Sequence, residues 1–228
     1  MNRILFFMLL LSPITVKSQV YCDSLVCKGG KYLFIKIDSA YYSYVEVKNK
    51  NNIVLYTYMD QINESDHIKK YTSKVFRKGN NLVLITANAD SVKISNKPSG
   101  GDGAEYYKFV DYNKNINFYI VLLTGNEYYK LILVSANNGK QYAIPANVKI
   151  LINTKQIIAS NIDYVNGGSW LEAYNIKDNK LTSFYKLSDF QDKWFFTDSY
   201  LDFDKKLVVK CQNSFTPSSF KYYKIIKK

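Results

Sequence analysis

Short runs of β-branched and aromatic residues recur along nearly the whole chain, and each run ends in a turn of asparagine, glycine, aspartate or lysine. Such runs are typical of β-strands that are joined by tight turns. Patterning with the period of an α-helix is nearly absent; residues 60–70 give only a poor stripe, so we expect at most a turn or two of helix there. The sequence therefore predicts an all-β fold of sequential antiparallel hairpins.

The predicted strands follow one another at short intervals. In the first half they cover residues 31–37, 42–48, 52–59, 71–77, 81–86, 105–112, 117–124 and 128–135. In the second half they cover residues 141–144, 148–152, 156–161, 170–176, 180–186, 194–200, 207–211 and 220–226. Asn138-Gly139 predicts a hairpin between 128–135 and 141–144, because both residues of an Asn-Gly turn tolerate positive φ.

A faint internal repeat runs through the second half. Ile157-Ile158 followed by 171–176 aligns, at a spacing of 50 residues, with Leu207-Val208 followed by 221–226. Residues 129–134 fit the same position 42 residues earlier in the chain. Periods of about 40 to 50 residues with about four strands each are typical of propeller blades.

The segment 128–228 thus resembles the strand-and-turn rhythm of β-propeller repeat proteins. It has none of the Trp-Asp, kelch di-glycine or Ser-x-Asp-x-Gly box patterns of the named propeller families. The resemblance therefore implies an architecture and carries over no functional residues. About sixteen strands grouped in fours would give a propeller-like fold with about four blades. A β-sandwich or an irregular barrel is the alternative.

The first 18 residues have the features of an export signal. Arg3 supplies a positive start, 4–11 is an unbroken apolar run, and Val16-Lys17-Ser18 stands where a signal peptidase reads small or modest side chains. We expect a signal peptide at 1–18 and a periplasmic or extracellular protein in which 19–228 form a single all-β domain. The apolar run is much shorter than the roughly 20 residues that cross a bilayer, so no membrane span is predicted.

The chain is basic, with a net charge of +12 that falls to +10 when Arg3 and Lys17 are removed. Only Arg3 and Arg77 among its 31 basic residues are arginine, whereas base-edge and bidentate phosphate recognition depend on the guanidinium group. The lysines are spread along the whole chain, as codon use in an AT-rich genome would produce. We therefore predict no specific nucleic-acid partner, and a basic envelope-associated protein is the weakest functional alternative.

Three cysteines, Cys22, Cys27 and Cys211, are candidates for a disulfide if the compartment is oxidising. A local Cys22–Cys27 bridge needs no assumption about the fold. A bridge from either residue to Cys211 requires that the two chain ends meet, with the bonded Cα atoms within about 7 Å. Closure of a propeller would bring the ends together, so we expect them to be adjacent and leave both pairings open.

No catalytic or cofactor motif is present. His67, the only histidine, lies among polar residues, and the chain has no Gly-x-Ser-x-Gly elbow. Five aspartates lie close in sequence and are the candidate carboxylates of a glycan hydrolase: Asp189, Asp192, Asp198, Asp202 and Asp204. The positions of most of them in or beside turns favour a role in hydrogen bonding to turn backbone. We predict no cofactor and no metal site.

Binding residues are expected at the longest glycine-containing loops. Asn166-Gly167-Gly168 is bracketed by Tyr164 and Trp170, and Trp194 opens the last repeat. Aromatic side chains give a large contact area at low entropic cost, so we predict Tyr164, Asn166, Trp170 and Trp194 as ligand-binding residues, although for the two tryptophans packing inside the fold is favoured over ligand contact. The favoured function is a secreted or periplasmic non-enzymatic binding protein with a protein or glycan partner. A secreted hydrolase that acts on glycan through carboxylates is the alternative.

Overall fold

The computed structural model describes residues 22–23, 26–27, 30–57, 62–98, 103–126, 128–163, 168–188, 194–213 and 215–227. Of these residues 60% are in strands and 10% in helices. The strands form four antiparallel sheets, none of which closes into a barrel within the described part of the chain. The predicted all-β fold is confirmed. The predicted signal peptide, 1–18, lies outside the described residues and stays a prediction.

The elements are numbered in chain order. The N-terminal part contributes β1 (Cys22–Asp23), β2 (Val26–Cys27), β3 (Gly30–Ile37), α1 (Ser39–Lys50), β4 (Ile53–Tyr56) and α2 (Glu64–Lys69). Sheet 1 contains β5 (Val75–Lys78), β6 (Asn81–Ile85) and β7 (Ser91–Ser95). Sheet 2 contains β8 (Tyr106–Asn113), β9 (Phe118–Thr124), β10 (Tyr129–Ser135) and β11 (Gln141–Pro145). Sheet 3 contains β12 (Asn147–Leu151), β13 (Gln156–Asp163), β14 (Gly168–Lys177) and β15 (Lys180–Ser188), with β4 beside β12. Sheet 4 contains β16 (Trp194–Leu201), β17 (Leu207–Asn213) and β18 (Phe220–Lys227), followed by β3 with β1 and β2.

The two ends of the described chain meet in sheet 4. β3 pairs antiparallel with β18, with Ile37 opposite Tyr222 and Tyr32 opposite Lys227. The N-terminal strand therefore occupies the place that β11 and β15 occupy in sheets 2 and 3. The predicted adjacency of the chain ends is confirmed.

The faint sequence repeat corresponds to equivalent strands. Residues 129–134, 171–176 and 221–226 lie in β10, β14 and β18, each of which is the third strand of a run of consecutive hairpin-connected strands: β8–β10, β12–β14 and β16–β18. Four antiparallel sheets with this repeated order are compatible with a propeller-like repeat.

Apolar clusters join each sheet to the next one along the chain. Leu84 of sheet 1 packs with Tyr119 of sheet 2 in one cluster, and Ile120 on the opposite face of β9 packs with sheet 3 in another. Leu171 of sheet 3 and Val209 of sheet 4 share a third. Both faces of β9 are thus buried, which explains why its sequence is a continuous apolar run and does not alternate.

The outer face of sheet 4 is covered by α1. Tyr42 and Val45, three residues apart and so on one side of the helix, pack against Tyr200 and Val208. The predicted strand 42–48 is therefore wrong, as is its hairpin with 52–59. The aromatic and β-branched residues of this segment favour a strand locally. The helix forms instead because Asp38 caps it, accepting a 2.6 Å hydrogen bond from the Tyr41 N–H, and because the sheet buries one side of it.

Outside α1, the residue types in the turns predicted the local structure best. The Asn138-Gly139 hairpin forms between β10 and β11, with Gly139 at φ +70°. A Cβ at Gly139 would also lie 2.5 Å from Val92 Cγ2, so only glycine fits there. The short helix predicted within 60–70 is present as α2. β7 was not predicted; its two apolar residues, Val92 and Ile94, face inward and alternate with exposed serine and lysine.

Cys211 lies on β17, fully buried and with a free thiol. β1, which carries Cys22, is separated from β17 by β3 and β18. Neighbouring strands are about 4.8 Å apart, so this separation exceeds the disulfide limit even though the chain ends meet. The bridge to Cys211 is therefore absent, while the local Cys22–Cys27 bridge stays a prediction because those side chains lie outside the described ones.

No helix in the described ranges is both long enough and apolar enough to cross a membrane.

Candidate functional site

A cleft of about 750 Å³ lies where sheets 3 and 4 meet α1. We call it the α1–β16 cleft. Its walls are formed by Glu46, Val47 and Lys50 of α1, Ile53, Leu55 and Thr57 in and after β4, Asn147, Val148 and Lys149 of β12, Ile158 and Ser160 of β13, and residues 196–200 of β16. Sites for small ligands typically have volumes of about 300 to 1,000 Å³ and mostly apolar walls with a few polar groups. This cleft has both properties.

Two of the walls are terminal strands. β16 ends the strand order of sheet 4, and β4 ends that of sheet 3. A terminal strand presents unpaired backbone groups, and proteins commonly cover such edges with charged side chains. The cleft is therefore a place where polar side chains are needed between two apolar sheets.

Lys149 supplies the central positive charge of the cleft. Its ammonium contacts Asp198, donates a 3.1 Å hydrogen bond to the Ser199 carbonyl, and lies 3.8 Å from the centroid of the Tyr200 ring. The side chains of Lys149 and Asp198 are only 17% and 26% exposed. Burial lowers the pKa of Lys149, while Asp198 and Glu46 act in the opposite direction. This ion pair is thus largely shielded from water, where charge interactions are stronger than at an open surface.

Glu46 supplies a second carboxylate from α1. Its Oε1 accepts a 3.1 Å hydrogen bond from the Tyr200 hydroxyl. Burial, together with the charges of Asp198 and Glu46, raises the pKa of Tyr200 and keeps its hydroxyl protonated as a donor. The helix and the edge strand are therefore joined by a carboxylate–tyrosine contact beside the ion pair.

Each of the two carboxylates uses only one oxygen. Asp198 Oδ1 receives both Lys149 and the 2.9 Å hydrogen bond from the Ser199 N–H, and Glu46 Oε1 receives Tyr200. The structure assigns no hydrogen bond to Asp198 Oδ2 or Glu46 Oε2 from any described residue. Two acceptor positions in the cleft are open.

Tyr42 lies behind these groups with an unused hydroxyl. It is 3% exposed, and its hydroxyl has no hydrogen-bond partner in the described chain. Its ring centroid is 5.7 Å from that of Tyr200. Burial is the main reason why the pKa of Tyr42 is raised, and Asp198 is the strongest charged contributor to that rise. A buried hydroxyl without a partner is costly and rare.

Neither of the two described aromatic residues that were predicted to bind ligand, Trp170 and Trp194, lines the cleft. Trp170 is half-buried in β14, paired with Asn161 and Ser188. Trp194 packs partly against the core between sheets 3 and 4, with the Lys221 ammonium 4.4 Å from its ring centroid. Ligand binding by these tryptophans stays a prediction. Tyr164 and Asn166 lie outside the described residues.

The aspartates separate into different roles. Asp202 accepts 2.9 Å hydrogen bonds from the N–H groups of Asp204 and Lys206 and forms a 2.5 Å ion pair with Lys224, so its role at the turn is structural, as predicted. Asp189 and Asp192 lie outside the described residues. Of the three described aspartates, Asp198 alone lines the cleft.

Other titratable groups have structural partners or lie away from the cleft. Arg77 holds Glu64 through two hydrogen bonds, from Nε at 3.0 Å and from Nη2 at 2.8 Å, which ties β5 to α2. His67 lies on α2 and is not among the cleft residues. Within the described ranges, no group of three or more His, Cys, Asp or Glu side chains is placed to hold a metal ion.

Sequence reasoning missed Glu46 and Lys149. Glu46 lay in a segment predicted as a strand, so its position on a helix facing β16 was not foreseen. The sequence around Lys149 could have indicated its role. Lys149 lies between Val148 and Ile150, which are both fully buried, in a strand of a sheet whose two faces are covered. A lysine in such a strand requires a partner.

The chain was also compared with known proteins. Comparisons with family models, with curated proteins and with solved structures gave no match. What can be said of its function therefore follows from the chemistry of its own residues.

Proposed function

We propose that this chain is an exported, non-enzymatic binding protein that captures its ligand in the α1–β16 cleft. The observation that carries the proposal is the cleft itself, about 750 Å³ in volume with mostly apolar walls and a shielded Lys149–Asp198 pair. Polar groups that converge in a cleft of this kind fix the orientation of a ligand. The basic, hydrophobic start of the sequence supports export.

The way the polar groups are engaged favours binding over catalysis. Lys149 and Asp198 neutralise one another, and Glu46 is hydrogen bonded to Tyr200. The only histidine of the chain, His67, is not a cleft residue. Groups that hold one another in place are suited to a fixed recognition surface.

A glycan hydrolase is the second candidate. Glu46 and Asp198 come from different elements and face one cleft beside Tyr200. Glycoside hydrolysis uses two carboxylates roughly 5 to 10 Å apart. This candidate requires that replacing either carboxylate by its amide abolishes the release of reducing sugar from a glycan that the wild-type protein cleaves.

Binding in the cleft can be tested without knowing the ligand. A library of small amines, acids, sugars and dipeptides is titrated into methyl-labelled protein, and the methyl resonances are followed by NMR. We expect the hits to shift the methyl groups of Val47, Leu55 and Ile158, which line the cleft. Thr57→Trp should abolish those shifts by filling the mouth of the cleft, because Thr57 is an exposed lining residue.

The matched control is Thr72→Trp, at an exposed threonine that is not among the cleft residues. It should leave the hits unchanged. Hits that map elsewhere, or hits that survive Thr57→Trp, would contradict the proposal. Release of reducing sugar that is lost in both Glu46→Gln and Asp198→Asn would replace it with the hydrolase.

A further inference from the structure

We infer that the α1–β16 cleft takes an alkylammonium group, presented as a lysine side chain by an apolar segment of a peptide or protein partner. The inference rests on the proposed function and names the ligand class of the same site.

The balance of charge in the cleft is the first argument. Among its shielded groups, the carboxylates of Glu46 and Asp198 face the single ammonium of Lys149. Lys50 also lines the cleft, but it is exposed at the end of α1, where water and salt screen its charge. One further ammonium would neutralise the shielded groups, whereas an anionic ligand would meet two carboxylates and a lysine that is already paired.

The hydrogen-bonding capacity of the site is the second argument. Asp198 Oδ2 and Glu46 Oε2 are assigned no hydrogen bond, and each can accept a charge-assisted one. An ammonium has three donors. The two carboxylates of the cleft can accept two of them.

The surface beside the cleft is the third argument. Four exposed apolar side chains form what we call the α1 strip: Tyr44, Val47, Leu55 and Phe203, which are 50%, 66%, 55% and 67% exposed. Val47 and Leu55 line the same cleft, and the ring centroids of Tyr44 and Phe203 are 5.7 Å apart. Tyr44 and Val47 are three residues apart on α1 and therefore share a side of the helix. An apolar strip beside a polar cleft fits a segment in which a lysine is flanked by apolar residues.

A glycan fits the cleft less well. Sugar rings pack their C–H faces against exposed aromatic rings, and the described aromatics of the cleft are already covered. The Tyr200 ring is packed by the Lys149 ammonium and by Tyr42. Phe196 is 2% exposed and belongs to the core between sheets 3 and 4. Within the cleft itself the open apolar surface is aliphatic, supplied by Val47 and Leu55, because the exposed rings of Tyr44 and Phe203 are not among the lining residues.

The test uses ligands that differ only in their polar end. Hexylamine, hexanol and hexanoate are titrated into the full protein, and the Val47 and Leu55 methyl resonances report binding in the cleft. We expect hexylamine to bind at least about tenfold more tightly than the other two, since one charge-assisted hydrogen bond contributes about that factor. The peptide acetyl-Leu-Lys-Leu-amide should bind more tightly still, and acetyl-Leu-norleucine-Leu-amide should lose that gain.

Glu46→Gln should weaken hexylamine binding about tenfold while the melting temperature stays close to that of the wild type, because glutamine can still accept the Tyr200 hydrogen bond. Glu105→Gln is the control, as Glu105 pairs with Lys97 and is not among the cleft residues. If hexanol or hexanoate binds in the cleft as tightly as hexylamine, the inference is overturned and the proposed function still holds. Glucosamine binding without peptide binding overturns the peptide partner, and the absence of binding by every amine overturns the inference as a whole.

Discussion

Lys149 of sheet 3 donates a 3.1 Å hydrogen bond to the main-chain carbonyl of Ser199, on the terminal strand of sheet 4. Two residues further along the same strand, β16, the Leu201 carbonyl accepts a 3.1 Å hydrogen bond from the side chain of Asn49 in α1. Residues two apart in a strand direct their backbone groups to the same edge. Side chains of the protein itself therefore cover this part of the β16 edge, which would otherwise be open to another strand.

The ion pair in the cleft should contribute measurably to stability. Lys149→Met leaves Asp198 largely shielded and unpaired, so we expect the free energy of unfolding to fall by about 2 to 3 kcal/mol. This is below the roughly 3 to 5 kcal/mol for a fully buried pair, because both side chains keep some exposure. The double variant Lys149→Met/Asp198→Asn should lose less free energy of unfolding than the sum of the losses in the two single variants. Urea unfolding of the three variants would measure this.

Lys97→Met is the control for that cycle. It removes an ion pair with Glu105 in which the lysine side chain is 67% exposed, and exposed pairs contribute little to stability because water and salt screen them. If the changes in the free energy of unfolding caused by Lys149→Met and Asp198→Asn are strictly additive, the two side chains do not act as a pair.

Stability should fall steeply in alkali because of the tyrosines. Burial raises the pKa of Tyr56 and Tyr174 above the ordinary 10.0, and raises that of Tyr119 to about 12. A raised pKa in the folded state contributes stability that is fully present below the unfolded pKa and is lost as the pH rises through the folded pKa. The lowered pKa of Lys149 acts in the opposite direction, but it is a single group. We expect the free energy of unfolding to decline from about pH 10 upwards.

Urea unfolding across this range, together with the ultraviolet absorbance of tyrosinate, would measure the effect. Tyr56→Phe should reduce the slope, since Tyr56 is buried and donates a 2.8 Å hydrogen bond to Asp111. Tyr44→Phe, at an exposed tyrosine, should leave it unchanged. A flat profile from about pH 10 to 12 would contradict the prediction.

At low pH, the carboxylate of Glu105 should have an unusually low pKa. Hydrogen bonds from Lys97, Tyr128 and Tyr107 lower the pKa of Glu105 to about 2. A depressed pKa contributes stability that is present above the unfolded pKa and is lost as the pH falls through the folded value, here between about 4.5 and 2. NMR titration of the Glu105 carboxyl carbon would give the value directly. Lys97→Met should raise it, and Lys93→Met, at an exposed lysine without an assigned carboxylate partner, should not.

Cys211 should be chemically inert in the folded protein. Burial raises the pKa of its thiol, and thiolate is the reactive form. In a variant with Cys22→Ser and Cys27→Ser, we expect a thiol reagent to modify Cys211 only as fast as the protein unfolds. Reaction at the rate of a free thiol, with the fold intact by circular dichroism, would show that the position is accessible.

Cleavage of the N-terminal segment is directly measurable. The pattern of 1–18 predicts that the mature chain begins at Gln19, which N-terminal sequencing of the exported protein would establish. Leu9→Asp interrupts the apolar run and should leave the precursor uncleaved inside the cell. Removal of the segment despite this change would argue against an export signal.

The sequence predicted those parts of the fold that depend on neighbouring residues. Asn138-Gly139 determined its hairpin because the turn is local, and β10, β14 and β18 were aligned from a weak repeat. Helix α1 could not be predicted in this way, since its formation depends on the Asp38 cap and on packing against β16 and β17. The pairing of β4 with β12 was equally hidden, because it joins Ile53 to Leu151.

The cleft was less predictable still. Asp198 belonged to the candidate carboxylates, but no pattern singled it out from Asp202 or Asp204. Its partner Lys149 and the second cleft carboxylate, Glu46, lie about 50 and 150 residues away in the sequence and share the cleft with it only because two sheet edges and a helix converge. Periodicity and turn chemistry report on local structure, whereas this site is formed entirely by long-range contacts.

The pairing of β3 with β18 joins chain segments that the ribosome produces at very different times. The 182 residues between Ile37 and Phe220 take about 10 to 40 s to synthesise at common elongation rates. Throughout that interval β3 lacks its neighbour, and a chain halted before β18 would keep an unpaired strand edge open to aggregation and proteolysis. This edge of β3 is therefore protected only after β18 has been synthesised.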